Sequence, residues 1–264
     1  MRVHVALMPG EFPGLSLDGH VALVVDVFRA TSMVVAAFQA GCARVIPVGD
    51  AAAARAMAAS MAPEPVLLAG ERGGDPIPGF DLGNSPLDCT PERVGGRTLV
   101  LTTTNGTNAM LKAAEAEAAA VAALTNVGAA ARWAAARGRD VTVLCAGEQG
   151  RLSLEDSVCG GILVARLLEA DPAAHLSDAA QAARCLGLVY ESDPDRLKRD
   201  AAWARQLHRQ GRAADLDACV RIDAVTLVPE IADGSVTRGR DSLTWTAGEA
   251  DTQSGRASGP SVNR

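Results

Sequence analysis

The chain of 264 residues is 48% hydrophobic and 21% charged, and its formal net charge at pH 7 is −6. This length is enough to bury a substantial core, as one large domain or two small ones. The acidic balance argues against a nucleic-acid partner, which needs clustered Lys and Arg, and the sequence has no apolar run long enough to span a membrane.

The apolar segment at the N-terminus is too short for a signal peptide, because Pro9-Gly10-Glu11 soon follows it. We interpret this segment as a first strand. The cysteines are scattered and contain no Cys-x-x-Cys pair, a spacing that fits neither a zinc knuckle nor a disulfide framework. We therefore expect a cytoplasmic protein with reduced thiols, most of them acting as small buried hydrophobic groups. The cysteines are residues 42, 89, 145, 159, 185 and 219.

Short apolar runs alternate with helical patterns up to residue 170. The runs are mostly apolar throughout, as expected for strands covered on both faces. Predicted strands span residues 2–7, 20–26, 43–48, 66–69, 98–102, 119–124 and 141–145. Predicted helices between them span residues 31–40, 51–61, 107–117, 126–137 and 155–170. The alternation predicts a layered α/β/α fold with a mixed or mostly parallel sheet.

The pattern changes after residue 175 to a helical C-terminal part. Helices are predicted at 177–187, 194–210 and 212–219, before an apolar run at 224–228. We interpret residues 1–246 as one α/β domain, in which segment 177–219 is either a subdomain or part of the same body. Residues 247–264 have no apolar side chains other than three alanines and Val262, and are predicted to form a disordered tail.

A run of threonines, Thr102-Thr-Thr-Asn-Gly-Thr107, lies where predicted strand 98–102 passes into a helix. Free backbone N–H groups and the positive end of the helix dipole face an anion at such a junction. No Gly-Lys-Ser/Thr follows, so the run is not a Walker loop. The simpler interpretation is a turn with helix-capping residues, since Thr and Asn perform both roles.

A second polar cluster, Asp26-Val-Phe-Arg-Ala-Thr31, directly follows the buried run that ends at Val25. An aspartate at this place is a candidate nucleophile or metal ligand, or simply an N-cap. Arg29 adds a guanidinium fork suited to phosphate or carboxylate, and its alternative is a surface ion pair.

A third cluster, Glu71-Arg72, is flanked by glycines that let the backbone turn sharply and approach a ligand, or that form an ordinary turn. The connection from residue 70 to residue 97 is unusually long for a compact domain, which is typical of a functional loop. It carries Asn84 and Ser85.

A fourth cluster runs from Glu148 to Asp156, between a strand and a helix. Ser153 and Asp156 have the spacing of a capping box, which leaves Glu148 and Glu155 unexplained. Carboxylates at strand ends are suited to a hard cation such as Mg²⁺. Histidines are few and lie outside every cluster, so a histidine nucleophile or a His-rich zinc site is not expected.

Together these clusters resemble the motif series of the 2-phosphosulfolactate phosphatase family over roughly residues 1–240. The resemblance implies the family's own α/β arrangement rather than a Rossmann domain. It also implies Mg²⁺-dependent hydrolysis of (2R)-O-phospho-3-sulfolactate to 3-sulfolactate and phosphate, as in coenzyme M biosynthesis. The matching motifs are Asp26-Val-Phe-Arg-Ala-Thr31, Ala69-Gly-Glu-Arg72, Gly79-Phe-Asp-Leu-Gly-Asn-Ser-Pro86, Thr102-Thr-Thr-Asn-Gly-Thr107, Cys145-Ala-Gly-Glu148, Ser153-Leu-Glu-Asp156, Ala213-Ala-Asp-Leu-Asp217 and Val228-Pro229.

The resemblance and the residue chemistry together give a predicted site. The predicted catalytic residues are Asp26, Arg29, Glu71 and Arg72. The predicted substrate- and phosphate-binding residues are Thr31, Asn84, Ser85, Thr103, Thr104, Asn105, Gly106, Thr107 and Ser153. The predicted Mg²⁺ ligands are Asp26, Glu71, Glu148, Glu155 and Asp156. The nucleophile stays open between Asp26 and a metal-bound water.

Two other functions stay open beside the favoured one. The first is a Mg²⁺-dependent phosphatase acting on another small phosphorylated hydroxy acid. The second is a non-catalytic protein that binds an anionic metabolite, although carboxylates beside an anion repel it unless a cation lies between. The expected partner is a small anionic phosphoester, with no nucleic acid and no membrane, and homodimer formation is left open.

Overall fold

A computed structural model describes residues 1–239 as eleven strands in one mixed sheet with helices on both faces. The strands are β1 (Arg2–Ala6), β2 (Val21–Val25), β3 (Arg44–Pro47), β4 (Val66–Arg72), β5 (Asp75–Pro76), β6 (Thr98–Thr102), β7 (Ala118–Ala122), β8 (Val141–Cys145), β9 (His175–Leu176), β10 (Glu230–Ala232) and β11 (Ser235–Thr237). The α-helices are α1 (Ala30–Gln39), α2 (Ala51–Ser60), α3 (Pro91–Val94), α4 (Gly106–Ala113), α5 (Val127–Ala135), α6 (Leu154–Ala170), α7 (Asp178–Tyr190), α8 (Leu197–Asp200), α9 (Ala202–Arg209) and α10 (Ala213–Cys219). This architecture confirms the predicted layered α/β class.

The sheet consists of two parallel groups joined by a hairpin. Its strand order is β5-β4-β6-β3-β11-β10-β7-β2-β8-β1-β9. Strands β4, β6 and β3 are mutually parallel, and so are β7, β2, β8, β1 and β9. The hairpin β10–β11 pairs antiparallel with β7 on one side and with β3 on the other. Three successive antiparallel pairings mean that the two groups run in opposite directions.

Both faces of the sheet are covered by apolar cores, which explains why the strands are uniformly apolar. All five residues of β2 are buried, as are all five of β8. On one face Leu23 and Val143 pack in a core with α5 and α6. On the other face Val24 and Leu144 pack with α1 and α4. Burial on both faces removes the apolar–polar alternation that a half-exposed strand would show.

All seven predicted strands are present, with small shifts at their ends. The prediction for 194–210 was wrong in one respect, because the helix is interrupted at Ala201, whose backbone is extended (φ −73°, ψ 133°). The helix predicted at 107–117 ends at Ala113, since β7 begins at Ala118. The long connection at 70–97 contains the end of β4, the short strand β5, a 3-10 turn at Pro86–Asp88 and α3.

The sequence analysis missed the hairpin β10–β11, and the apolar run at 224–228 is not a strand. That run is irregular backbone in which the Val225 N–H bonds the carbonyl of Thr125. The hairpin begins directly after it and turns at Asp233-Gly234, where both residues have positive φ. Asp-Gly between short apolar segments is a hairpin signal, but strands of three residues give too little periodicity for detection.

The helical segment 177–219 packs on the rest of the chain and contributes to the same apolar core as β2 and β8. Helix α7 crosses α6, while Leu207 of α9 and Leu216 of α10 are buried in that core. Within residues 1–239, no helix combines the length and apolarity needed to cross a membrane. The tail predicted at 247–264 lies outside the described residues.

The crossing of α6 and α7 gives a stability prediction. A Cβ at Gly161 would lie 1.9 Å from the Ala183 carbonyl oxygen, whereas a Cβ at the adjacent Gly160 would meet nothing closer than 3.5 Å. We expect Gly161→Ala to lower the free energy of unfolding by about 1–3 kcal/mol or more through overpacking. Gly160→Ala is the matched control and should be neutral or stabilising by up to about 1 kcal/mol, since Ala favours helix. Urea unfolding measures both, and equal effects would contradict this close packing.

Candidate active site

Four chain segments converge at one end of the molecule. Asp26 follows β2, Glu71 lies in β4, Asn105 follows β6 and Glu148 follows β8. In a flat sheet the carboxyl ends of β4 and β6 would point away from those of β2 and β8, because the two groups run oppositely. The Asn105 Nδ2 nevertheless donates to Glu148 Oε2 at 3.0 Å. The sheet must therefore twist strongly enough to bring both sets of strand ends together.

Gly106, the first residue of α4, lies close against the 26–30 segment of the other half. A Cβ at this position would lie 2.5 Å from Asp26 Oδ2 and 2.6 Å from the Ala30 Cβ. Only glycine fits here without displacing the carboxylate. The predicted role of Gly106 in binding substrate stays a prediction, and the geometry adds a packing role against Asp26.

The converging segments enclose a cavity of about 140 Å³. A larger groove of about 410 Å³ lies elsewhere, between α1 and the segments around residues 86–91 and 218–225, but no carboxylate lines it. The smaller cavity is the better candidate, because ionisable groups with shifted pKa values are concentrated there. Its lining residues are Asp26, Phe28, Arg29, Glu71, Gly73, Asn84, Thr104, Asn105, Glu148, Gln149 and Trp203.

Two buried carboxylates hold the loops of this site through backbone N–H groups. Glu71 accepts from the Gly74 N–H at 2.8 Å and from the Thr104 N–H at 2.7 Å. Asp156 accepts from the Val27 N–H at 2.8 Å and from the Gly147 N–H at 2.9 Å. Each carboxylate thus joins the loops that follow two different strands.

Asp26 is held at the cavity by its own loop. Its Oδ1 accepts from the N–H of Ala30, the first residue of α1, at 3.2 Å, although the N-cap position itself is occupied by Arg29. Its Oδ2 is the atom that faces Gly106. Thr31 fixes the backbone behind it, since its hydroxyl donates to the Asp26 carbonyl at 2.8 Å and accepts from the Asp26 N–H at 3.0 Å. The Thr31 hydroxyl is therefore engaged with backbone rather than with the cavity.

Arg29 is the one arginine that lines the cavity, and it is buried. Its Nη1 forms an ion pair with Asp215 of α10, and its Nη2 donates to the Gly74 carbonyl at 2.6 Å. Ser85 donates to the other oxygen of Asp215 at 2.6 Å. The peptide bond before Arg29 is cis. The Arg29 Nε is buried and has no hydrogen-bond partner, so a donor remains available for a ligand.

The threonine run divides between structural and cavity positions. The Thr103 hydroxyl accepts from the Thr107 N–H at 3.1 Å, and the Thr107 hydroxyl donates to the Thr103 carbonyl at 3.2 Å. These two side chains cap the start of α4, as the simpler interpretation of the sequence has it. Thr104 and Asn105 line the cavity.

Four other predicted site residues lie outside the cavity lining. Arg72 is exposed and donates to the Thr102 hydroxyl at 3.0 Å and to its carbonyl at 3.3 Å. Ser153 is the N-cap residue of α6 but forms no side-chain cap bond, which contradicts the capping-box interpretation. Glu155 and Asp156 are buried in the first turn of α6, behind the cavity.

Burial raises the pKa of four neighbouring carboxyl groups. It raises the pKa of Asp156 to about 8, with repulsion from Glu155 adding to the effect, and that of Glu155 to about 7, with repulsion from Asp26 and Glu148. The pKa of Asp26 lies well above its usual value because of burial and then the Asp156 charge. Burial and Glu71 raise the pKa of Glu148. The cluster therefore resists full ionisation, mainly because its carboxyl groups are buried and secondarily because they repel one another.

Few of the predicted carboxylates are free to coordinate the predicted magnesium ion. Among the residues described, no three His, Cys, Asp or Glu side chains are grouped as ligands of a single ion. Glu71 and Asp156 already accept two backbone hydrogen bonds each. Asp26 and Glu148 remain as carboxylates that line the cavity, and Asn84, whose buried Oδ1 has no partner, lies beside them. Two carboxylates suffice for Mg²⁺, which keeps several waters and takes phosphate oxygens as further ligands.

Sequence reasoning missed Phe28, Gln149, Trp203 and Asp215. Trp203 of α9 lines the cavity, and its Nε1 donates to the Phe28 carbonyl at 2.9 Å. Asp215 holds Arg29. Both come from the helical segment, far along the chain from the clusters. The only available signal was that Asp215 belongs to the matching motif Ala213-Ala-Asp-Leu-Asp217.

The fold and the cavity define an α/β protein with a small, carboxylate-rich cavity between the loops that follow its strands. The chain belongs to the 2-phosphosulpholactate phosphatase family, whose model matches residues 7–234. This membership places it among the phosphoric monoester hydrolases.

Similar proteins support the assignment along most of the chain, and each is named a probable 2-phosphosulfolactate phosphatase. The protein of Gloeobacter violaceus is 39% identical over 241 residues, covering 90% of this chain and 99% of its own. That of Deinococcus radiodurans is 37% identical over 239 residues, covering 89% and 95%. That of Caldanaerobacter subterraneus is 34% identical over 224 residues, covering 83% and 90%.

The shifted pKa of Glu155 gives a pH-dependent stability prediction for the metal-free protein. Glu155 ionises near 4.5 when unfolded but near 7 when folded, so the wild-type free energy of unfolding falls as the pH rises through that window. Glu155→Gln removes this penalty. We expect the variant to gain stability relative to wild type between pH 5 and pH 8, by on the order of 3 kcal/mol at most.

Urea unfolding in EDTA at both pH values measures the effect. Glu169→Gln is the matched control, because Glu169 lies on the same helix but its side chain is 65% exposed. A difference between Glu155→Gln and wild type that does not change with pH would contradict the raised pKa.

Proposed function

We propose that this chain is a Mg²⁺-dependent 2-phosphosulfolactate phosphatase. It hydrolyses (2R)-O-phospho-3-sulfolactate to (2R)-3-sulfolactate and phosphate, a reaction of the coenzyme M biosynthesis type. The observation that carries the proposal is the cavity lined by Asp26, Glu148 and Arg29, whose buried Nε has no hydrogen-bond partner among the described residues. The family match supports the substrate class. We place the enzyme in the cytoplasm, in line with six unpaired cysteines, five of them buried.

Arg29 and the Thr104–Asn105 turn bind the substrate's anionic groups. The substrate carries a phosphate, a carboxylate and a sulfonate, so its site must offer donors as well as positive charge. Arg29 supplies a buried charge and an unused N–H donor. The exposed Thr104 lies at the N-terminal end of α4, where the helix dipole favours negative charge.

Asp26 and Glu148 would hold the magnesium ion. A Mg²⁺ ion bound there would neutralise charge on the phosphoryl oxygens and so favour attack on the phosphorus atom. Support comes from the burial and mutual repulsion that raise the pKa values of Asp26 and Glu148, because a bound cation would stabilise their ionised forms. Glu71 and Asp156 act by holding the loops through backbone amides.

Asp26 is placed for either of two roles, attack on phosphorus or orientation of an attacking water. Its Oδ1 is engaged by the Ala30 N–H. Its Oδ2 lies at the junction between the two halves of the site. A covalent phosphoaspartate would form in the first role and not in the second.

Phosphate release with and without metal tests the proposed function. We expect the wild-type protein to release phosphate from 2-phosphosulfolactate with Mg²⁺, to lose this activity in EDTA and to regain it when excess Mg²⁺ is added. The physical reason is that two carboxylates and three anionic substrate groups repel each other without a cation. Full activity of a metal-stripped sample would exclude the metal role.

A substrate panel separates the proposal from its alternatives. Other phosphorylated hydroxy acids, such as phospholactate and phosphoglycerate, should be poorer substrates because they lack the sulfonate. A better turnover of one of them would shift the assignment to another small phosphoester. Ligand binding without phosphate release from any compound would favour the non-catalytic alternative.

Asp26→Asn tests the role of the carboxylate itself. Asparagine keeps the oxygen that accepts from the Ala30 N–H, so the fold and the cap are retained. We expect turnover to fall by about three orders of magnitude, roughly 4 kcal/mol of transition-state stabilisation. Circular dichroism and thermal unfolding provide the folding control. Near-normal turnover would reduce Asp26 to a capping residue, and trapping of labelled phosphate on the wild type would identify it as the nucleophile.

A further inference from the structure

Asp215 lies outside the four polar clusters at the strand ends and is nevertheless bonded to Arg29, which lines the cavity. It belongs to α10, and both partners of the pair are buried, with side-chain exposures of 3% for Arg29 and 7% for Asp215. Burying two charges is costly unless their geometry and hydrogen bonds compensate it. The pair is therefore either a structural element or part of how the site works.

The surroundings of Asp215 fix it in one position. One oxygen pairs with Arg29 Nη1, and the other accepts from the Ser85 hydroxyl at 2.6 Å. Ser85 itself lies next to Asn84, which lines the cavity. The carboxylate thus joins α10, the 84–85 turn and the 26–29 loop, and neither of its oxygens is left without a partner.

Arg29 is held on two of its nitrogens and open on the third. Nη1 bonds Asp215 and Nη2 bonds the Gly74 carbonyl, whereas the buried Nε has no partner. A purely structural arginine would be expected to use this donor, because a buried polar group without a partner is destabilising. Since Arg29 also lines the cavity, its free donor is the group that a ligand would satisfy.

We propose that Asp215 is a positioning residue: it holds the Arg29 guanidinium so that its remaining N–H donor meets an anionic group of the substrate. This inference rests on the proposed phosphatase function. Asp215 does not touch the substrate, and its effect passes through Arg29. Ser85, predicted from sequence as a substrate-binding residue, acts here on Asp215.

A double-mutant cycle between Arg29 and Asp215 tests this proposal. Asp215→Asn keeps the size and one acceptor oxygen but removes the charge. It is preferred to Asp215→Ala, which would also remove the acceptor and leave a cavity beside Arg29. We expect Asp215→Asn to lower kcat by about 10- to 100-fold, the scale of a misplaced binding group. Asp217→Asn is the matched control, because Asp217 lies on the same helix, is exposed and pairs with Lys198.

The decisive comparison is the combined variant. If Asp215 acts only through Arg29, Arg29→Ala with Asp215→Asn should be no slower than Arg29→Ala alone, to within about twofold. Losses that multiply would mean that Asp215 acts independently of Arg29. Normal kcat in Asp215→Asn, or multiplied losses in the combined variant, would overturn the proposal.

Binding of inorganic phosphate provides a readout besides activity. Titration calorimetry with Mg²⁺ present should show weaker phosphate binding in Asp215→Asn and in Arg29→Ala, with no further loss when they are combined. Unchanged phosphate affinity in Asp215→Asn would also overturn the proposal. The two proposals can fail separately. A wild-type protein that releases no phosphate from 2-phosphosulfolactate would refute the proposed function. The phosphate-binding measurements on the variants would still test the role of Asp215.

Discussion

The site depends on two buried carboxyl groups that accept hydrogen bonds from backbone N–H groups. Glu71 holds the 73–74 turn to the 103–105 loop, and Asp156 holds the loop after β2 to the loop after β8. A hydrogen bond contributes about 0.5–1.5 kcal/mol, and more when the acceptor is ionised, so four of them fix these loops firmly. The cavity lies between the two clamped pairs of loops, and its shape follows from them.

The sequence predicts the fold class because β2, β6 and β8 are short runs buried on both faces and separated by clear helical patterns. It does not predict that the two parallel groups run in opposite directions. That relation is set by β10 and β11, which have three residues each and leave almost no periodic signal. Strand direction is a property of pairing, and pairing partners cannot be read from a run of apolar residues.

The candidate site is predicted in location but only partly in residue roles. Asp26, Arg29, Asn105 and Glu148 do lie together at one cavity. Thr103, however, accepts a hydrogen bond from the start of α4. The sequence alone does not distinguish a threonine that caps a helix from one that binds a ligand. The role of a site residue depends on its tertiary contacts, and some of these come from distant segments, as with Trp203 and Asp215. Local sequence patterns do not contain such contacts.

The position of the β10–β11 hairpin has a consequence for how the protein acquires its structure during synthesis. Strands β3 and β7 do not pair with each other, and the hairpin at residues 230–237 is what joins them. Each parallel group can form from residues that leave the ribosome earlier, but the continuous sheet can form only once Thr237 has emerged. Contacts between segments so distant in sequence form slowly, because a long loop must close first. The strand pairing that joins the two halves of the site is thus among the last to be completed.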